Sequence, residues 1–196
     1  MHSNRRIRRI KATEFRSRGT IALARGLLGK YLVRADGRRR VARMITEVEA
    51  YHSARDLACH ASRGRTARTE TLFAAGGVWY VYLCYGVHEL LNLVTGPRDF
   101  PAAVLIRGVA GIPGPGRVTR ALGVDRRLNG AICAGSSGLW IEDRGVRVSR
   151  RQIRALPRIG VDYAGPVWAN KPWRFVLDSV PANGGRSQLI PAKRGQ

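Results

Sequence analysis

The feature that most constrains the fold is the way apolar residues are grouped. They fall in short runs rich in β-branched and aromatic side chains, and few have the length or spacing of a helix. Tyr31 to Val33 and Val41 to Ala50 read as two strands around the turn Ala35-Asp36-Gly37. Val78 to Cys84 and Leu90 to Val94, broken at Gly86, read as a hairpin. Ala102 to Val109 is a further strand whose only charge is Arg107, and Leu139 to Glu142 and Arg174 to Leu177 are short late strands. Only two helices stand out. One is capped by Thr20, runs through Ile21, Ala24 and Leu28, and stops at Gly29; the other spans the region from Gly116 to Gly123. Strands that follow one another with so few helices between them predict an α+β fold with a largely antiparallel sheet and a protruding hairpin. The length, 196 residues, fits a single domain over 1–196. Basic or glycine-rich tails are expected at 1–12 and 183–196.

Charge constrains the partner. The chain carries 35 Lys and Arg against 13 Asp and Glu, a formal net charge of +22. A coding bias accounts for arginine replacing lysine, but not for basic residues outnumbering acidic ones so heavily. Such a surface expects a polyanion, and nucleic acid is favoured because no long basic amphipathic helix is present to lie on a membrane. No apolar stretch approaches the roughly 20 residues of a spanning helix. The basic segment Met1 to Lys11 is followed by no apolar signal core, so a cytoplasmic location is expected. Cys59, Cys84 and Cys133 lack the spacing of a disulfide framework or a zinc site, and neither His52 nor His60 completes one.

Carboxylates are scarce, so acids inside an apolar strand draw notice. In Thr46-Glu47-Val48-Glu49-Ala50-Tyr51, regular alternation puts Glu47, Glu49 and Tyr51 on one face, either solvated or forming a site wall. With His60 after a polar loop, a carboxylate beside a phenol and an imidazole could serve as a general base. Tyr80 and Tyr82 share a strand face, and Trp79 and Tyr80 read as core. Tyr85 falls at the hairpin tip, where there is little core to enter, and is a candidate wedge between stacked bases. Asn92 and Arg107 interrupt apolar runs, and a buried arginine needs an acid, for which Glu49 is one possibility.

These residues carry a resemblance. Leu23 to Lys30, Glu47 to Tyr51, His60 to Thr66 with Arg68-Thr69, Tyr80 to Tyr82 with Tyr85-Gly86 and Asn92, Ala103 to Arg107, Gly114-Pro115-Gly116, Pro157 to Gly160 and Pro172 to Phe175 occur in family order. Together they resemble the alkyladenine (3-methyladenine) DNA glycosylase family, whose sheet is curved and antiparallel. The resemblance implies a monofunctional enzyme that works as a monomer. It would extrude a damaged purine from double-stranded DNA, hydrolyse its N-glycosidic bond and leave an abasic site. Tyr85 then corresponds to the intercalating residue, and Tyr51, His60 and Tyr82 to the pocket that sandwiches the base. Asn92 corresponds to the side chain that crowds out the amine of normal guanine. Glu49 corresponds to the base that activates water, Arg107 to the residue that holds that water, and the Ile159 carbonyl to a further water ligand. No lysine lies in these blocks to form a Schiff base, and no metal or organic cofactor is implied. Cationic bases such as 3-methyladenine and 7-methylguanine would gain cation–π attraction from the tyrosines, on the order of 0.5–2 kcal/mol each; hypoxanthine is the deaminated counterpart.

Three departures from the family pattern are visible. The segment between Arg107 and Gly114 is short, Ala67 stands where a proline is common, and His88-Glu89 puts charge beside the wedge. Leu156 to Gly160 also resembles a helix-hairpin-helix turn, but Arg158 stands where that motif needs glycine. A rival reading is a non-catalytic basic nucleic-acid-binding protein that stacks single-stranded bases on Tyr80 and Tyr82. It gives no reason for an acid, Glu49, in a basic pocket.

Overall fold

Arg39–His52 is long enough to pair with four other strands, and the rest of the chain is arranged around it. The computed structural model describes residues 7–17, 19–37, 39–179 and 188–191. In chain order the elements are β1 (Arg8–Arg9), α1 (Thr20–Leu27), β2 (Tyr31–Asp36), β3 (Arg39–His52), β4 (Trp79–Cys84), β5 (His88–Val94), β6 (Ala102–Val109) and β7 (Ile112–Pro113). There follow α2 (Pro115–Leu122), β8 (Leu139–Asp143), β9 (Ile153–Leu156), α3 (Gly165–Ala169), β10 (Arg174–Leu177) and β11 (Gln188–Pro191). Short 3-10 turns fill several of the connections. Every strand pair is antiparallel, in the order β1-β8-β2-β3-β6-β5-β4. The N-terminal half of β3 pairs with β2 and β11; its C-terminal half pairs with β6 and β10, and β9 lies beyond β10. The α+β, mostly antiparallel fold read from the sequence is the fold observed.

Between the two halves of β3 the register against β6 slips twice. Ile45 faces Val109 and Glu47 faces Gly108, which leaves Thr46 extra on β3; Val48 then faces Ile106, which leaves Arg107 extra on β6. Each bulge bends its strand and re-aims a side chain, and the pair restores the register. Beyond the bulges, alternation sorts the residues cleanly. Val48, Ala50, Trp79, Val81, Leu91, Leu93, Val104 and Ile106 enter the main core with α1, while their sequence neighbours face the other way. That second face is where the candidate site lies.

Several sequence expectations need correction. Gly19, not Thr20, caps α1; Thr20 is fully buried and its hydroxyl is bonded to that of Thr95 at 3.0 Å. An oxygen with a buried partner of its own is not free to cap the helix. The stretch 1–12 is not wholly a tail, because Arg8–Arg9 pairs with β8 and Ala12–Phe15 forms a turn of helix with Phe15 buried. Gly77 packs so closely there that a Cβ would lie 2.3 Å from the Ala12 carbonyl oxygen. Of the expected C-terminal tail, 188–191 pairs with Arg39 to Ala42; residues 1–6, 183–187 and 192–196 lie outside the described residues. The short segment after Arg107 turns straight back as β7. No helix among the described residues is long and apolar enough to cross a membrane, and none of those residues form a cluster of three metal-ligating side chains.

Leu32, at the middle of β2, is fully buried and remote from the second face. Leu32→Ala should cost about 2–5 kcal/mol of unfolding free energy in urea titration, read as a lower midpoint at an unchanged slope.

Candidate active site

The second face of the sheet opens into a cavity of about 1040 Å³, closed at its sides by the β4–β5 hairpin, the start of α2 and the segment from Ile159 to Tyr163. Tyr80 and Tyr82 point into it with rings 5.3 Å apart, as strand alternation requires. The His60 ring stands edge-on to Tyr82 at 4.6 Å, and its Nδ1 lies 3.1 Å from the Tyr80 hydroxyl. Burial, then Arg68 and Arg63, lower His60 to about 4, so the imidazole is neutral at physiological pH. Tyr51 and Asn92 also line the cavity, and the Asn92 amide is fixed by donating to the Tyr80 carbonyl at 3.3 Å. Tyr80, read from sequence as core, is buried and yet part of the wall.

Glu49 does not itself line the cavity. It has 0% exposure and sits directly behind Tyr51, Arg107 and Ile159, all three of which do. Its Oε1 accepts from the Ile159 N–H at 2.8 Å and lies 3.3 Å from an Arg107 amino group; its Oε2 accepts from the Tyr51 hydroxyl at 2.8 Å. Burial raises its carboxyl above the usual range, opposed by Arg107, the Ile159 amide and Tyr51 in that order. The β6 bulge aims Arg107 at both acids of the strand face: its Nε donates to Glu47 at 3.2 Å, and Arg174 holds Glu47 from the far side at 3.1 Å. Sequence left Glu49 as either solvated or a wall residue; it is neither, because its three neighbours cover it. Ile159 meets Glu49 through its N–H.

The hairpin tip is built to expose a ring. Tyr85 and Gly86 both have positive φ, 49° and 71°, and the Val87 N–H donates to the Cys84 carbonyl at 3.2 Å. Positive φ at both central residues suits a tight hairpin turn. For tyrosine that backbone is unfavourable, and it leaves the side chain 89% exposed. Glu89, a possible opponent of phosphate, is turned aside and paired with Arg126 at 3.0 Å.

With this geometry in view, comparison with known proteins is decisive. The family model for methylpurine-DNA glycosylase (MPG) matches residues 14–181. The chain belongs to this family. Among similar proteins, one from Anaeromyxobacter sp. is 48% identical over 177 residues, covering 85% of this chain and 88% of the relative. One from Methanocella arvoryzae is 45% identical over 190 residues, covering 86% and 92%, and one from Psychrobacter cryohalolentis is 40% identical over 200, covering 85% and 91%. All three carry the name "Putative 3-methyladenine DNA glycosylase". The chain is thus a DNA glycosylase of base excision repair, and DNA is the polymer it acts on.

Within this methylpurine-DNA glycosylase, sequence reasoning missed Asp56 and Arg158. They form a fully buried pair, with contacts of 2.5 and 2.8 Å, and the guanidinium also donates to the carbonyls of Ala50 and Trp168. Arg158 lies 4.8 Å from the centre of the Tyr51 ring and immediately precedes Ile159, so one side chain braces two of the three groups that hold Glu49. The Asp56 carboxylate accepts in addition from the N–H groups of His52 and Ala58. The available signal was an acid in a chain poor in acids, facing the arginine that spoiled the helix-hairpin-helix match. Where the family often has proline, Ala67 sits in a loop closed by Thr69, whose hydroxyl accepts from the Thr66 N–H at 2.8 Å and donates to the Gly64 carbonyl at 3.0 Å.

Asp56→Asn should destabilise the glycosylase by about 3–5 kcal/mol in denaturant titration, because Arg158 is left charged and buried. His60 should titrate near 4 by imidazole NMR. Its folded value lies below the unfolded one, so the unfolded chain binds the extra proton and stability should fall as pH drops from about 6.5 towards 4.

Proposed function

We propose that this chain is a monofunctional N-glycosylase of duplex DNA. It extrudes a damaged purine into the aromatic cavity and hydrolyses the bond between base and sugar, leaving an abasic site. The observation that carries this reading is the fully buried Glu49, held by donors from three separate segments directly behind that cavity. A carboxylate raised by burial is a better base, and a catalytic base works best when its pKa approaches the working pH. Oε1 already has two donors and Oε2 has one, so Oε2 keeps the acceptor capacity for a water. Glu49 would take a proton from that water as its oxygen bonds to C1′ and the glycosidic electron pair passes to the base. Arg107 holds the carboxylate from the cavity side, and Ile159 supplies an amide.

Tyr85 would fill the gap left in the stack, where its exposure and rigid turn place it ready before DNA arrives. Tyr51, Tyr82 and His60 would enclose the base, with Asn92 at its edge. Among the described residues no lysine lines the cavity, which supports hydrolysis without a lyase step. A plain binding protein remains poorly matched, since a buried acid costs stability and lowers affinity for phosphate.

Glu49→Gln should lower single-turnover base release by about 10²–10⁴-fold while duplex affinity stays equal or tightens. Alkali treatment of a duplex bearing hypoxanthine or a methylated purine reads the abasic sites; equal release by both proteins would remove Glu49 from the chemistry. Tyr85→Ala should slow release from duplex far more than from single strands, measured with the same lesion in both.

A further inference from the structure

Four charged side chains of alternating sign are linked in series towards the back of the cavity: Arg174, Glu47, Arg107 and Glu49. Exposure falls along the series, from 20% for the Arg174 side chain to 0% for Glu49, so Arg174 is its outer end. The pairing of β3 with β10 sets Arg174 opposite Glu49, and opposed residues of antiparallel strands share a face. Arg107 stands between the two acids, 3.2 Å from Glu47 and 3.3 Å from Glu49. Both contacts are longer than the roughly 2.7–2.9 Å of a tight charge-assisted hydrogen bond, so the guanidinium is shared rather than seated on either acid. Which acid it serves depends on what else neutralises Glu47. Arg174 does so, with an amino group 3.1 Å from the same Oε1 that Arg107 meets. Its Nε donates to the Pro157 carbonyl at 2.9 Å, two residues before the Ile159 N–H that holds Glu49.

We propose that Arg174 is a positioning residue for base excision: it holds Glu47 and the Pro157 carbonyl so that Arg107 and the Ile159 amide both stay on Oε1 of Glu49. The inference rests on the glycosylase reading above and adds to it a residue that does not line the cavity. Oε1 is the oxygen that Arg107 and Ile159 share, while Oε2 meets Tyr51, so Arg174 acts on both donors of one oxygen. Two arginines and two carboxylates balance. With Arg174 neutralised, one guanidinium faces two carboxylates, and Glu47 competes with Glu49 for it. Against burial, which raises the Glu49 carboxyl, Arg107 is the strongest opponent and the Ile159 amide the next. The other groups that face Glu49 are Tyr51 on its own strand, Arg158 from the late loop and Tyr82 from β4, and the test leaves all three in place.

The test uses the full chain at saturating concentration and a duplex bearing hypoxanthine or 7-methylguanine, whichever wild type releases faster. Single-turnover release is followed across the acid limb of the pH–rate profile. Glu49 must be ionised to take the proton from water, so a weaker hold on its charge moves that limb to higher pH. Arg174→Gln should slow release on the limb by about three- to tenfold and raise its midpoint by about half a unit. Arg174→Lys keeps a cation on Glu47 and should return the midpoint to the wild-type position. Glu47→Gln combined with Arg174→Gln leaves Arg107 to Glu49 alone, so its midpoint should lie at or below that of wild type. Slower release by Arg174→Gln with an unmoved midpoint marks a merely structural part and overturns the proposal. Should Arg174→Gln alone be too unstable to assay, the other two variants are read against wild type, and a raised midpoint in either overturns it. Failure of wild type to release either base would overturn the glycosylase reading itself, an outcome distinct from release with an insensitive midpoint.

Discussion

A carboxylate with no exposed surface must be given donors inside the protein, and the donors of Glu49 organise this structure. They come from parts of the chain far apart in sequence: a phenol two residues on, a guanidinium on the neighbouring strand and an amide on a late loop. Each has to be brought there by a specific device. The bulge in β6 presents Arg107, and its partner bulge in β3 keeps the strands in register afterwards. The late loop is anchored by Arg158, whose pairing with Asp56 also braces the Tyr51 ring. Burial of these charges is expensive alone and tolerable together, because each has partners.

The sheet separates this polar web from the apolar core. One face of β3 to β6 contributes Val48, Ala50, Trp79 and Ile106 to the interior, while the alternate residues line the cavity. The apolar core and the cavity thus occupy opposite faces of the same strands. The tip of the β4–β5 hairpin projects past both, so Tyr85 is exposed although residues a few positions away are buried. A strongly basic chain suits the DNA it acts on, and the cavity opens beside the exposed hairpin tip.

Much of this was legible in the sequence, for physical reasons. Alternation with a period of two placed Glu47, Glu49 and Tyr51 on one face and paired Tyr80 with Tyr82, and the hairpin followed from aromatic strands flanking a glycine. The family blocks located the rest of the cavity wall. What escaped was long-range. Nothing local marks Arg158 as the partner of Asp56, or the Ile159 amide as a ligand of Glu49, because each pair spans about a hundred residues of chain. Compensating bulges are likewise invisible to a pattern that assumes regular strands. Thr20 looked like a helix cap because propensity favours it there, and a buried tertiary partner took its hydroxyl instead.

The central claim is that Glu49 is a desolvated carboxylate restrained from neutrality mainly by Arg107. The direct measurement is the titration of the Glu49 side-chain carbon by NMR in protein labelled at glutamate, for wild type and Arg107→Gln. The account predicts a midpoint above the ordinary glutamate value in wild type, moving further upward when Arg107 is replaced. A midpoint at the ordinary value, unmoved by the replacement, would show a solvated acid and contradict the account.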